Sequence, residues 1–248
     1  MSLSLPKFIA HRGANHFAPE NTLPAFQMAK QHGATWVEFD VQLTQDNVPI
    51  IIHDDTVDRT TNGHGLVHDF SFATIRTLVI KKHGIKTHIP TLAETLDYLV
   101  KTQMNANIEI KTEDSLNLAR DRKNAELTCN LLRRYLNTNS QWLVSSFSMK
   151  ALHRARQVLP EIPIGMLLYI KNWKHEWPLK KRAIIKHFKK LNAYSIHINH
   201  DVLNQETIAE LQAICPRILT YTVNNRKRAQ TLFSFDINSI FTDNVLIY

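Results

Sequence analysis

A single distorted (β/α)8 barrel is the fold this sequence predicts, on three observations. Short β-branched or aromatic runs alternate with amphipathic stretches along the whole chain, the pattern of parallel α/β architecture. About eight such units fit within 248 residues, the size of one barrel. The second and third strand candidates are joined too tightly for a parallel crossover, and this is what distorts the barrel.

The first strand candidate covers residues 7–10 and leads to a helix near 22–31. Pro19-Glu20-Asn21-Thr22 reads as the start of that helix, with Asn21 or Thr22 capping and Pro24 in the first turn. Strand candidates follow at 36–43 and 49–53. The five residues between them cannot span a crossover of a dozen or more, so the two form an antiparallel hairpin turning at Gln45-Asp46-Asn47. Pairing across that turn brings His53 near Asp40. Residues 54–90 show no clear strand and read as a small insertion or lid after the third strand. Beyond it come helices near 92–100, 121–136, 149–158, 179–190, 205–214 and 225–233. Strands are expected at 107–111, 142–145, 162–168, 194–198, 218–223 and 239–242. No linker, repeat or low-complexity segment divides the chain, so residues 1–248 are taken as one barrel domain.

Composition narrows the chemistry. Hydrophobic residues at 44% and charged residues at 21% describe a globular chain, one long enough to bury a core without disulfides. Cys129 and Cys215 have no CxxC spacing and no neighbouring His, and are expected as buried thiols in a reducing compartment. No signal peptide and no bilayer-spanning run is visible, so a soluble, cytoplasmic protein is expected. The net charge of +8 favours anionic partners. Only six glycines are present and none builds a GxGxxG or Walker loop, so bound phosphate must be held by side chains, a metal and isolated amides.

Four short segments hold most of the unusual polar residues: His11-Arg12-Gly13, Glu38-Phe39-Asp40, His53-Asp54 and Glu109-Ile110-Lys111. Glu38 and Asp40 are two apart on a strand and so share one face. Close carboxylates in a dry site repel unless a cation or proton intervenes. With Glu109 they make three hard oxygen donors, which suit one divalent cation, Mg2+ or Ca2+, better than zinc. His11 and His53 follow separate strands, at the rim where barrels place their chemistry. One imidazole can take a proton from a nucleophile while the other protonates a leaving oxygen. Arg12 is placed to clamp phosphate oxygens, and Gly13 lets the backbone approach closely. Any of these signals alone has an ordinary structural explanation, since the chain has 13 histidines and a lone ExD is often a solvated pair.

Ten motifs in order resemble the glycerophosphodiester phosphodiesterase family. They are His11-Arg12-Gly13, Pro19-Glu20-Asn21-Thr22, Glu38-x-Asp40, Pro49-x-x-x-His53-Asp54, Arg59-Thr60-Thr61, Ile89-Pro90-Thr91-Leu92, Glu109-Ile110-Lys111, Ser145-Ser146-Phe147, Thr222-Val223-Asn224 and Thr242-Asp243. The resemblance implies a distorted barrel of the kind shared with phosphatidylinositol-specific phospholipases C. It implies His11 and His53 as acid and base, Arg12 and Lys111 at the phosphate, and Glu38, Asp40 and Glu109 as metal ligands. It further implies hydrolysis of a small anionic glycerophosphodiester to glycerol 3-phosphate and an alcohol. The chain departs from the family's habit at Asn47, where glycine is common, and at Tyr221, where tryptophan is usual. A glycine usual before the final Thr-Asp is also missing from Asp236-Ile237-Asn238-Ser239-Ile240. Tyr221 is therefore expected to narrow the substrate wall or present a hydroxyl to the substrate.

One stretch is left over. Residues 171–190 combine Trp173 and Trp177 with many lysines. They read as an ordinary barrel helix, or as a rim loop that carries both indoles to the alcohol moiety or to an anionic membrane surface. The rival activities are lysophospholipase D or phospholipase C-like cleavage of a lipid diester at the same site. An amidohydrolase-type barrel is disfavoured because no two histidines are two apart. Nucleic-acid binding is disfavoured because no RNP motif, zinc finger or basic repeat occurs.

Overall fold

The computed structural model describes residues 3–112 and 118–247. Its elements run in chain order β1 (Phe8–His11), α1 (Leu23–Gln31), β2 (Trp36–Leu43), β3 (Pro49–Ile51), α2 (Phe72–Ile75), β4 (Ile80–Lys82), β5 (Ile85–Thr87), α3 (Leu92–Lys101) and β6 (Asn105–Ile110). They continue with α4 (Leu118–Leu132), β7 (Trp142–Ser146), α5 (Met149–Val158), β8 (Ile164–Leu168), α6 (Trp173–Leu191), β9 (Ser195–Asn199), α7 (Gln205–Gln212), β10 (Ile218–Tyr221), α8 (Arg226–Ser234) and β11 (Ser239–Thr242). Eight parallel strands close the barrel in the order β1-β2-β6-β7-β8-β9-β10-β11, with β11 returning to β1.

The distortion has a simple origin. Strand β2 is longer than its neighbour β1, whose last residue, His11, pairs with Glu38. Past that point the edge of β2 is vacant, and β3 fills it antiparallel, pairing Val41 with Ile51 and Leu43 with Pro49. The turn between them uses Asn47 at φ 63°, a left-handed conformation that asparagine tolerates as glycine does. The Asp40 carbonyl accepts from the Ile52 amide at 3.0 Å, so His53 lies beside Asp40 as the hairpin reading expects.

Period-two alternation sorts the strand residues between two cores. One set (Ala10, Val37, Phe39, Ile108, Val144, Met166, Ile196 and Ile240 among them) packs under the helices, against residues such as Phe26, Leu96 and Leu211. The other set fills the barrel, where Ile9, Trp36, Leu143, Leu219 and Phe241 cluster together. Leu3 and Leu5 pack on this second cluster, and the Trp36 indole donates to the Ser4 carbonyl at 2.9 Å, so residues 3–7 close the N-terminal end. Helix α3 shows how an element is fixed locally. Thr91 and Glu94 form a reciprocal capping box, and the i, i+4, i+7 series Leu92, Leu96 and Leu99 is fully buried.

Two elements differ from the sequence reading. The stretch 54–90 was expected to lack strands, yet β4 and β5 pair as a hairpin turning at His83-Gly84, both at positive φ. With α2 it encloses a small core of its own, Ile52, Val57, Val67, Ile75, Ile80 and Ile89. Helix α6 begins at Trp173, six residues before the expected start at 179. Trp173 and Trp177 are therefore helical and not in a loop. Their rings stack at 4.4 Å and both indoles donate to Glu210, at 3.2 and 2.7 Å, joining α6 to α7.

A titratable group sits inside the barrel. His197 is fully buried, its Nε2 is 2.8 Å from Ser195 Oγ, and its ring lies where a Cβ on Gly165 would stand, 2.5 Å away. Glycine at 165 is what admits the imidazole. Burial lowers the pKa of His197 to about 3. Between that value and roughly 6.5, the unfolded chain binds a proton that the folded one refuses, so stability falls as pH drops through this window. The limiting slope is about 1.4 kcal/mol per pH unit. A His197→Gln protein is expected to lose this component, with a flatter Tm-versus-pH profile from pH 6.5 to 5. Parallel profiles for the two proteins would remove His197 from the account.

Candidate active site

All the polar segments singled out in the sequence meet at the C-terminal ends of the strands. In the β2 register Glu38 is flanked by His11 and Asn107, and Asp40 lies beside Glu109. Lys111 follows β6 directly and reaches back to Glu109 Oε1 at 3.2 Å and Asp40 Oδ1 at 3.5 Å. One carboxylate oxygen from each of Glu38, Asp40 and Glu109 lies within 4.8 Å of the others.

The turn after β1 is shaped by left-handed backbone. Arg12 has φ 55° and Gly13 φ 79°. A Cβ at Gly13 would meet the Ala25 backbone at 2.8 Å, so the close approach that glycine permits is to α1. The turn aims the Arg12 amide at Glu38 Oε2 at 3.0 Å, while its guanidinium binds Glu20 at 2.9 Å and lies 3.4 Å from Asp40. Thr22 caps α1. Asn21, the other cap candidate, is at φ 56° and donates to Asp40 Oδ2 at 2.8 Å.

Each histidine has a carboxylate at Nδ1. His11 Nδ1 is 2.7 Å from Asp243 Oδ1, and His53 Nδ1 is 2.7 Å from Asp54 Oδ1. An ionised carboxylate only accepts, so both rings carry the Nδ1 proton toward it and leave Nε2 for chemistry. The two supports differ. Asp243 is otherwise held by neutral amides, Asn15 at 2.5 Å and Asn224 at 2.6 Å. Asp54 is gripped by Arg59 through both oxygens, at 2.6 and 2.9 Å, and Arg59 in turn grips Glu20. A chain of ion pairs thus runs from Arg12 through Glu20, Arg59 and Asp54 to His53.

Charge is unevenly distributed here. Burial works against ionisation of Asp40, but Lys111 and Arg12 hold it well below the usual carboxylate range. Glu38 goes the other way: burial, then repulsion from Asp40 and Glu109, pushes its pKa well up. Glu109 is raised by burial and by Asp40. Burial, aided by Lys111 and Arg12, lowers the pKa of His53. Glu38 Oε1 is buried and has no hydrogen-bond partner among the described residues. Three clustered carboxylates, one with an orphaned oxygen, match the donor set of a hard divalent cation, and these residues fit such an ion.

The cleft over this cluster has two unlike halves. His11, Arg12, Glu38, His53, Glu109 and Lys111 line one side; Phe147, Leu167, Tyr221 and Phe241 line the other. Phe147 meets Tyr221 edge-on at 6.0 Å. The Tyr221 hydroxyl donates to the Leu168 carbonyl at 2.7 Å, so its ring forms the wall while the hydroxyl is engaged by the main chain. The sequence reading had allowed that hydroxyl to meet substrate.

The model of the glycerophosphoryl diester phosphodiesterase family matches residues 11–247. The chain belongs to that family. As a member it is a phosphodiesterase, and several bacterial relatives match it nearly end to end. A glycerophosphodiester phosphodiesterase of Caldanaerobacter subterraneus subsp. tengcongensis is 32% identical over 239 residues, 95% of this chain and 93% of the relative. One from Bacillus subtilis is 29% identical over 249 residues, 95% of this chain and 82% of the other. Among solved structures, an Oleispira antarctica phosphodiesterase in complex with the product sn-glycerol-3-phosphate superposes with a TM-score of 0.85 at 28% identity, covering 98% of this chain and 95% of that one.

Several residues of this phosphodiesterase site carry no role in the sequence reading. Glu20 and Asn21 read there as a helix start. Asp54, Arg59, Asn224 and Asp243 appear within motifs without assigned work. Asn15 has no signal at all. The usable hint was local to one histidine, in His53-Asp54; the motif His11-Arg12-Gly13 contains no acidic residue.

Proposed function

We propose that this phosphodiesterase hydrolyses small glycerophosphodiesters to glycerol 3-phosphate and a free alcohol, using His11 and His53 as its two proton carriers. The observation that carries the proposal is that both imidazoles are fixed at Nδ1 by carboxylates and line one cleft with Arg12, Lys111, Glu38 and Glu109. The Oleispira relative bound to sn-glycerol-3-phosphate supports the substrate class.

Glu38, Asp40 and Glu109 would hold the cation, Mg2+ or Ca2+. When bound, such an ion supplies positive charge that offsets the phosphoryl oxygens and makes a nearby hydroxyl more acidic. The protein's own part is proton traffic and positioning. In the first step the glycerol hydroxyl adjacent to the phosphate attacks phosphorus. One Nε2 takes its proton and the other donates to the leaving alcohol oxygen, so a P–O bond forms as another breaks. Water then opens the cyclic phosphate with the two rings in exchanged roles, which returns both to their starting states. Arg12 and Lys111 present cations to the phosphoryl oxygens. Glu20 orients the first of them, and Asp40 with Glu109 the second.

The test measures glycerol 3-phosphate released from glycerophosphocholine and glycerophosphoethanolamine, with EDTA and after Mg2+ or Ca2+ is restored. Release that EDTA stops and a cation restores is the expected result. The apolar half of the cleft favours one alternative, cleavage of a lipid phosphodiester. Lysophosphatidate or diacylglycerol from lysophospholipid or phospholipid, with no release from either soluble diester, would replace the present reading with that one.

A further inference from the structure

A second orphaned oxygen lies beside the first. Asn107 is 1% exposed, lines the cleft and sits on β6 directly opposite Glu38 in register, two residues before Glu109 on the same face. Its Nδ2 donates to Ser145 Oγ at 2.9 Å, while its Oδ1 is buried with no hydrogen-bond partner among the described residues. An acceptor oxygen between two carboxylate-bearing positions is not satisfied by them once they are ionised, because carboxylates only accept. Left without a donor or a cation, a buried carbonyl of this kind is costly, and such groups call for a specific explanation. Amide carbonyls are ordinary oxygen ligands of hard cations.

We propose that Asn107 Oδ1 is a fourth protein oxygen of the cation site, with Ser145 as the residue that positions it. The assignment rests on reading Glu38, Asp40 and Glu109 as a cation site. Among neutral ligands an amide has a particular advantage here. It adds a donor without adding a fourth negative charge to a cluster of three carboxylates whose oxygens lie within 4.8 Å of one another. The hydrogen bond to Ser145 plays the part that outer-shell contacts play around bound metals, fixing which amide atom faces the ion.

Cation binding itself is the readout. EDTA-stripped protein is titrated with Ca2+ and with Mg2+ by calorimetry in the absence of substrate, for the parent and for Asn107→Leu, Asn107→Asp, Ser145→Ala and Glu38→Gln. Asn107→Leu is expected to weaken binding at least tenfold and to shrink the rise in Tm that the cation gives. Asn107→Asp keeps an oxygen at the position and retains or tightens binding. Ser145→Ala frees the amide and costs roughly tenfold or more, as loss of outer-shell contacts does elsewhere. Should Asn107→Leu fail to fold, Ser145→Ala decides alone, because it leaves the cleft's own side chains in place. Parent-like affinity in Asn107→Leu, or in Ser145→Ala if only that protein folds, would overturn the assignment while a loss in Glu38→Gln leaves the three-carboxylate site standing. A parent protein that binds neither cation would overturn both.

Discussion

Replacing His53 by alanine is expected to lower kcat by roughly 10²–10⁴-fold with the fold intact, the usual cost of removing a positioned proton carrier. The ring is partly exposed at the end of a hairpin and buries no core surface, so its loss reads on rate and not on stability. His11→Ala should act alike. The double variant should be little slower than the worse single one, because two groups that hand protons through one reaction fail as a unit. Their supports should separate. Asp243→Asn leaves His11 without a charged anchor, and the same three-atom amide head can rotate to donate where the carboxylate accepted. Asp54→Asn also strips Arg59 of a bidentate partner and so loosens Glu20 and Arg12. A rise in KM should therefore accompany Asp54→Asn and be small in Asp243→Asn. Steady-state kinetics with circular dichroism on each protein checks this. Multiplicative losses in the double variant would show that the histidines do not share one reaction.

The fold was legible because a barrel writes its core twice. Outward strand positions alternate with inward ones, and the amphipathic helices repeat at a matching interval. The tight 44–48 connection was equally informative, since no crossover fits it and β3 had to pair with β2. The hairpin Ile80–Lys82 with Ile85–Thr87 was hidden by its composition: three lysines and a threonine leave one isoleucine per strand and no alternating pattern, and only His83-Gly84 marks the turn. In α6 the misleading residue was Pro178. It reads as a boundary, yet stands at the sixth helical position, behind a start fixed by Asn172 accepting from His175 and Glu176 accepting from Lys171 and Asn172.

The site was legible only where chemistry and local geometry coincide. Glu38 and Asp40 had to share a face, and nothing but a cation or a proton accounts for them there. What escaped acts across the chain. Asp243 reaches His11 from 232 positions away. Glu20 and Arg59 meet over 39 positions, and Asn21 looked like a helix cap because locally it is a good one. Residues of this kind support the groups that react, and a support is defined by its partner, which one dimension does not show.

The cation site should also set a conflict between stability and activity at Glu38. Burial, with Asp40 and Glu109 nearby, raises its pKa in the folded protein. A carboxyl with a raised folded pKa contributes stability below its unfolded value, near 4.3, and loses it as pH rises through the folded value. Metal-free protein should therefore become less stable from weakly acidic to neutral pH, at a limiting slope of about 1.4 kcal/mol per pH unit while Glu38 is the group responding. His197 contributes in the opposite direction below about pH 6.5, and because it is common to both proteins the Glu38 component is read as the difference between the parent and Glu38→Gln profiles. Glu38→Gln removes the charge and keeps the shape. In EDTA at pH 7.5 it should melt several degrees above the parent, while its hydrolysis falls by orders of magnitude and its Tm no longer responds to Mg2+ or Ca2+. For the parent, adding cation should erase the alkaline loss, because an ion between the carboxylates favours their charged forms. A metal-free Glu38→Gln protein that melts below the parent at pH 7.5 would mean that Glu38 is held ionised by Arg12 alone, with no repulsion left for a cation to relieve.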